Sequence, residues 1–404
     1  MVTARARRGL AGRSCPGAEG HCDKWSTPTG RRMTGLHLVV REGILGRMKL
    51  AVSALLIFGF LIPALPASAQ APSVIDVAAL GPQIGDRIAD FRLEDQDGGA
   101  WTQDSILGPN GALLVFSRSV DWCPYCKTQM LDLQDRMPDL EAAGLGLAVI
   151  TYDSTAVMAD FAGRRGITFP LLSDPGSATI KAYGLLNTTV DAATSNYGIP
   201  FPGTLVLDAQ GVVTERFFEE AYQERITVSS MMLALGSAGP PVEASRITTD
   251  HLQITTYVSD DAVAPGSLFS VVFDIRPRDR MHVYAPGADG YRVIGLNLDP
   301  DPLLVARPVA YPESEVYFFE PLNERVPVFE SPFRLTQVMH VSPAREHREM
   351  LADRESITIT GTLDYQACDD RVCFNPQSVP VSYTVKLRSL DMERANVEPA
   401  AGSR

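Results

Sequence analysis

Two hydrophobic rhythms divide this chain. Up to about Leu235, short wholly apolar runs alternate with stretches of helical spacing; beyond residue 241 the dominant period is two. Residues 112–116 (Ala-Leu-Leu-Val-Phe) and 146–151 (Gly-Leu-Ala-Val-Ile-Thr) are apolar at nearly every position, which suits strands covered on both faces. Met130, Leu131, Leu133 and Met137 recur at helical spacing behind Pro124, a residue favoured in the first turn of a helix. Those methionines read as core filling. Residues 156–164 predict a second helix and 226–235 a last one. Residues 204–207 and 211–214 flank Asp208-Ala209-Gln210, a strand–turn–strand signal. Such alternation predicts a central sheet covered by helices.

The stretch Gly236-Ser237-Ala238-Gly239-Pro240-Pro241 has the composition of a linker. Past it, residues 267–275, 356–363 and 381–385 read as strands separated by Pro-rich turns, and only 343–351 hints at a helix. An all-β sandwich of immunoglobulin-like size is expected. The predicted boundaries are 77–237 for the α/β domain, 238–244 for the linker, 245–390 for the sandwich and 391–404 for a charged, loose tail.

Composition adds a compartment. With 45% apolar and 21% charged residues over 404 positions, the chain is globular in make-up. Residues 1–69 hold ten Lys/Arg and three Asp/Glu, so the remainder carries a net charge of −19. Such a body does not suit nucleic acid or an anionic membrane surface. Met48-Lys49, an apolar run from Leu50 to Ala67 and the site Ala67-Ser68-Ala69 form a signal peptide over 48–69, predicting a periplasmic protein. Pro63 and Pro66 argue against an uncleaved anchor. Residues 1–47 read as an upstream extension, with Met48 a candidate start.

Export permits disulfides, and four cysteines remain in two close pairs. Cys123-Pro124-Tyr125-Cys126 follows a strand and opens a helix. The dipole and free N–H groups there favour a thiolate at Cys123, making it the expected attacking sulfur, with Cys126 resolving. No second pair is spaced for a metal, and no cofactor is expected. Cys368 and Cys373 flank Asp369-Asp370-Arg371-Val372; in a tight hairpin their sulfurs would face each other. From spacing alone, this second pair could equally be a static bridge.

Two resemblances sharpen these expectations. Gly85-Asp86-Arg87-Ile88-Ala89-Asp90-Phe91, Asp95-Gln96-Asp97-Gly98 and Phe116-Ser117-Arg118-Ser119-Val120-Asp121-Trp122-Cys123-Pro124-Tyr125-Cys126 resemble the redoxin (AhpC/TSA) branch of the thioredoxin superfamily. That resemblance implies a thioredoxin fold, with Trp122, Pro124 and Tyr125 supporting the active site and Pro202 as the proline facing the cysteines. Met281-His282-Val283-Tyr284-Ala285-Pro286-Gly287, Tyr311-Pro312 and Tyr365-Gln366-Ala367-Cys368 with Cys373-Phe374-Asn375-Pro376 resemble the N-terminal domain of the disulfide-interchange protein DsbD. It implies an immunoglobulin-like sandwich whose cysteine pair is redox-active, with His282 and Tyr284 aiding proton transfer and Tyr317, Phe318 and Phe319 in a covering loop.

The expected function is thiol-disulfide exchange through Cys123/Cys126 and Cys368/Cys373, with other thiol-disulfide proteins, including a membrane electron carrier, as partners. Direct exchange between the two pairs within one chain is also expected, since tethering raises effective concentration. The alternatives are a thiol peroxidase reduced by its own sandwich, and a non-catalytic module with static bridges. Against the peroxidase, Cys123 stands where that family has Thr or Ser, Ser119 stands in the proline place, and no arginine occurs between Arg165 and Arg216 to support a reactive thiolate.

Overall fold

The computed structural model describes residues 75–239, 241, 243–320 and 323–397. The extension 1–47, the signal peptide 48–69 and residues 398–404 of the tail lie outside the described residues. The first half contains β1 (Arg92–Glu94), β2 (Ala100–Thr102), β3 (Gly111–Phe116), α1 (Pro124–Asp135), α2 (Met137–Ala142), β4 (Leu145–Thr151), α3 (Thr155–Arg165), β5 (Leu171–Ser173), α4 (Ala178–Ala182), β6 (Gly203–Leu207), β7 (Val213–Phe218), β8 (Arg225–Ile226) and α5 (Val228–Ala234). Seven of these strands form one sheet in the order β2-β1-β5-β4-β3-β6-β7.

The sheet is a thioredoxin fold, and the apolar runs explain its centre. β3 is buried at every position. Leu113 and Val115 enter one core, while Leu114 and Phe116 enter the core on the opposite face. A strand covered on both sides cannot afford a polar face. The helix predicted across 130–137 breaks at Arg136, because Pro138 fits only the first turn of a new helix.

The second half is rich in strands: β9 (Ser245–Thr248), β10 (Leu252–Val258), β11 (Ala262–Val263), β12 (Ser267–Pro277), β13 (His282–Tyr284), β14 (Gly295–Leu298), β15 (Leu304–Ala306), β16 (Glu315–Phe319), β17 (Glu324–Phe329), β18 (Phe333–Val341), β19 (Ser356–Tyr365), β20 (Ala367–Cys368) and β21 (Gln377–Leu387). They form three sheets, β15-β18-β12-β10-β9, β11-β21-β19-β14 and β16-β17-β13-β20. Phe269, Val271, Phe273 and Ile275 of β12 share a core with Ile357 and Ile359 of β19 and Val381 and Val385 of β21. A 3-10 turn at Arg345–His347 and α6 (Arg348–Ala352) occupy the one stretch that hinted at a helix.

More than a linker joins the halves. β8 adds to the second-half sheet beside β12, with Arg225 opposite Ser267 and Ile226 opposite Leu268. Thr227 Oγ1 donates to Asp260 Oδ2 at 2.8 Å, and Arg307 donates to Glu224 Oε2 at 2.8 Å. The expectation of a loose tail fails for residues 391–397. Asp391 pairs with Arg165 at 2.8 Å, and Arg394 Nε donates to Asp121 Oδ1 at 2.8 Å. The charges that made this segment read as unstructured find opposite charges on the first half.

Candidate functional site

The chain leaves β3 at Phe116 and turns through Ser119–Trp122 before entering α1. Asp153 pins that turn: it accepts from the Ser119 hydroxyl at 2.9 Å and from Val120 N at 2.7 Å. Burial raises the pKa of Asp153 to about 6. Cys123 caps α1, its Sγ accepting from Cys126 N at 3.3 Å, and Pro124 opens the helix as predicted. Cys123 and Cys126 are disulfide-bonded, with Cα atoms 5.3 Å apart. Pro202 is buried just before β6, whose Gly203 lies opposite Phe116, so it sits beside the end of β3 from which the cysteine segment departs.

The surroundings of this pair hold residues that sequence reasoning missed. Arg225, only 6% exposed, donates from Nη2 to Cys126 Sγ at 3.4 Å. Its other partners are the Tyr222 carbonyl at 2.7 Å and the Glu224 carbonyl, rather than a carboxylate. Burial, aided by Arg118, lowers its pKa to about 9. The Arg118 guanidinium lies 4.4 Å from the Tyr222 ring centre and 4.9 Å from that of Trp122. Trp122 donates to the Tyr152 hydroxyl at 2.8 Å, and Tyr125 meets Tyr222 edge-on. The span free of arginine ends at Arg216; the cation at the sulfur comes from β8, nine residues further on. The claim that no arginine supports the pair is therefore corrected. Cys123, the expected attacking sulfur, is 1% exposed, and Cys126 is fully buried.

The second pair is built differently. β20 pairs with β13, placing Cys368 opposite His282, and Cys368 bridges back to Cys373, its disulfide partner, with Cα atoms 4.1 Å apart. Cys368 is buried and Cys373 is exposed. The Tyr284 hydroxyl lies 3.0 Å from Cys368 Sγ and 3.3 Å from Cys373 Sγ. Tyr284 stacks on Tyr291 at 4.1 Å, and the Tyr291 hydroxyl donates to Glu324 at 2.8 Å. Burial holds the Tyr284 phenol well above its ordinary pKa, so it remains protonated. Burial also lowers the pKa of His282, whose ring packs against Tyr317 at 4.5 Å. Tyr317, Phe318 and Phe319 belong to strand β16 rather than a loop. Alternation along that strand turns Tyr317 onto the cysteine cluster and leaves Phe318 exposed.

The two pairs occupy opposite ends of the second half. Cys126 meets Arg225, which lies opposite Ser267 at the start of β12. The other end of β12, Pro277, lies opposite Leu252; its neighbour His251 reaches Tyr365, three residues from Cys368. Ten residues of strand span roughly 33 Å. In this arrangement the two pairs do not meet, as direct exchange between them, or reduction of a peroxidase by its own sandwich, would require.

Comparison with known proteins places the first half. Residues 84–216 match the AhpC/TSA family model. The chain is 31% identical over 138 residues to alkyl hydroperoxide reductase E of Mycobacterium bovis, covering 34% of this chain and 84% of that protein. It is 24% identical over 145 residues to the thiol-disulfide oxidoreductase ResA of Bacillus anthracis, covering 36% and 75%. Among solved structures, peroxidoxin BcpB of Mycobacterium tuberculosis aligns with a TM-score of 0.34 and 22% identity, over 39% of this chain and 96% of its own.

Proposed function

The chain belongs to the AhpC/TSA family through residues 84–216, and on that premise we propose that it is an exported, periplasmic thiol-disulfide oxidoreductase with two exchanging pairs. One observation carries the proposal: the Tyr284 hydroxyl stands within 3.3 Å of both sulfurs of a disulfide whose Cys373 is exposed. A static bridge needs no acid at its sulfurs. A partner thiolate attacks Cys373 Sγ and forms a mixed disulfide. Cys368 departs as a thiolate beside Tyr284, which donates a hydrogen bond to it. The second partner thiol then displaces Cys373, so one disulfide is reduced as the partner dithiol is oxidised. His282 and Tyr317 shield the buried sulfur. This chemistry, together with the Cys368–His282 register, supports reading 245–390 as a DsbD N-terminal-like, immunoglobulin-like sandwich. The partners are other thiol-disulfide proteins; a membrane electron carrier fits the export signal. Because the pairs stand far apart, each meets its own partner. Titration in glutathione buffers, with thiols trapped by alkylation and located by mass spectrometry, tests the proposal. Both pairs should exchange near the glutathione range; a Cys368–Cys373 bridge that resists down to about −300 mV is structural and ends it.

A second reading is a thiol peroxidase at Cys126, and Arg225 is the observation that favours it. A buried cation at this sulfur stabilises the thiolate that attacks peroxide and the charge of the departing oxygen. The protein named as its relative is an alkyl hydroperoxide reductase. Stopped-flow oxidation by hydrogen peroxide decides: fast oxidation lost in Cys126→Ser supports a peroxidase, and oxidation at an ordinary thiolate's rate refutes it.

A further inference from the structure

Residues 388–397 cross the mouth of the Cys123–Cys126 site. Leu390 packs on the cluster of Cys123, Tyr125 and Cys126, with Trp122 on the same cluster. The next residue, Asp391, reaches Lys127 at 3.6 Å and Arg165 at 2.8 Å, and Glu393 reaches Arg165 at 2.6 Å and Arg164 at 3.3 Å. The Lys127 ammonium also donates to the Glu393 carbonyl. Beyond them, Arg394 and the Ala395 N–H both bind Asp121, two residues before Cys123. The Lys127 and Asp391 side chains are 1% and 5% exposed, so the centre of the network is covered, while Glu393 and Arg394 are exposed at its rim. Burial works against the charge of Asp391, yet Arg165 and Lys127 hold its pKa below the usual range. Beside Leu390 lies a cleft of about 350 Å³, lined in part by Pro124, Tyr125, Pro265, Leu351 and Met392.

We infer that residues 388–397 occupy, in the resting chain, the docking surface for the protein that exchanges with Cys123–Cys126, and that this partner presents an extended segment with an apolar residue next to carboxylates. The segment shows the chemistry that the surface takes: Leu390 fills the apolar place over the sulfurs, and Asp391 and Glu393 satisfy a cluster of three cations, Lys127, Arg164 and Arg165. Those cations stand out on a body whose net charge is −19. A partner gains access by displacing the segment, and an unselective thiol meets a closed site. The inference rests on Cys123–Cys126 being the exchanging pair of the first half.

The test follows reduction of the Cys123–Cys126 disulfide by dithiothreitol in oxidised protein, by quenched alkylation and mass spectrometry. A chain ending at Arg388 should reduce at least tenfold faster than the full chain. A synthetic peptide of sequence 389–397 added to it should restore protection, and the same peptide with Asp391→Lys and Glu393→Lys should not. Arg394→Ala in the full chain, which removes only the outer tether, should fall between. Equal rates for the full and shortened chains, with native circular dichroism in both, overturn the inference and leave the oxidoreductase proposal standing. So does protection by the charge-reversed peptide, since the cations would then select nothing. Faster reduction by dithiothreitol in a shortened chain that never exchanges with any thiol-disulfide protein keeps the cover and refutes the function.

Discussion

Arg225→Gln removes a buried cation while keeping a polar side chain and the backbone pairing. Arg225 N still donates to the Gly266 carbonyl at 2.9 Å, so the β8–β12 junction persists. The guanidinium stands 3.4 Å from Cys126 Sγ. At that distance, with an effective dielectric constant of about 20, a unit charge pair is worth about 5 kcal/mol. That would lower a thiol pKa by about 3.5 units at about 1.4 kcal/mol per unit. Desolvation of the fully buried sulfur acts in the opposite direction. The variant should therefore raise the Cys126 pKa by roughly 1–3 units. The assay is thiolate absorbance at 240 nm against pH in a Cys123→Ser background, so that Cys126 titrates alone in the site and Cys373–Cys368 remains closed. Arg225→Lys should recover part of the shift, since it keeps the charge but loses the fork. A Cys126 pKa that moves by less than half a unit in Arg225→Gln would show that the arginine serves the domain junction and not the sulfur.

Two further outcomes follow from the buried acids and the phenol. Burial, with Asp260 next, raises the Asp132 pKa to about 7, and burial raises Asp153 to about 6; both pKa values are raised on folding, so the stability they give is fully present below the ordinary carboxylate range and is lost as pH rises from there through about 6 and about 7. Urea midpoints should fall as pH rises from about 4 to about 7 and fall less steeply in Asp132→Asn; a midpoint that rises across that window contradicts the assignment. Tyr284→Phe removes the hydroxyl at the Cys368 and Cys373 sulfurs and should slow exchange with a small dithiol about tenfold, the effect of losing one hydrogen bond of about 1.5 kcal/mol to a thiolate, while leaving the fold's melting temperature nearly unchanged.

The legible parts of this chain are those whose signal is local. The double-sided burial of β3, the helix-opening Pro124 and the alternation in 356–363 and 381–385 each follow from a dozen residues or fewer. The cysteine pairs were equally plain, because close spacing is itself the chemistry. What stayed hidden depends on distant partners. β8 is Arg225-Ile226, two residues without periodicity, and only its pairing with β12 brings the cation to Cys126. The resemblance points to the strand around Pro202 for a supporting arginine, whereas Arg225 lies beyond it on β8. Residues 391–397 carry the charge density of a loose tail, and no composition rule reveals that Lys127, Arg164 and Arg165 will be waiting for them. The covering loop that the resemblance implies for Tyr317, Phe318 and Phe319 is a strand here, and its aromatic run alternates in exposure rather than in residue type.

The β8–β12 junction also changes what the two cysteine pairs can mean together. A flexible linker would have let them meet, and tethering would have favoured an internal relay. A shared sheet does the reverse: it fixes the Cys126 end at Ser267 and carries the chain roughly 33 Å along β12 before it reaches the neighbourhood of Cys368. The ion pairs of Arg307 with Glu219 and Glu224, and of Arg388 with Asp135, hold the same junction. Separation of this kind costs the speed of direct exchange, but it allows two partners to engage at once without collision. The contrast in exposure agrees with that division. Cys373 is exposed at the far end, whereas Cys123 and Cys126 are buried beside the ion-paired segment 388–397. An accessible end and a covered end, held apart by a shared sheet, fit the proposed exchange with two unlike redox partners better than a short circuit between the chain's own cysteines.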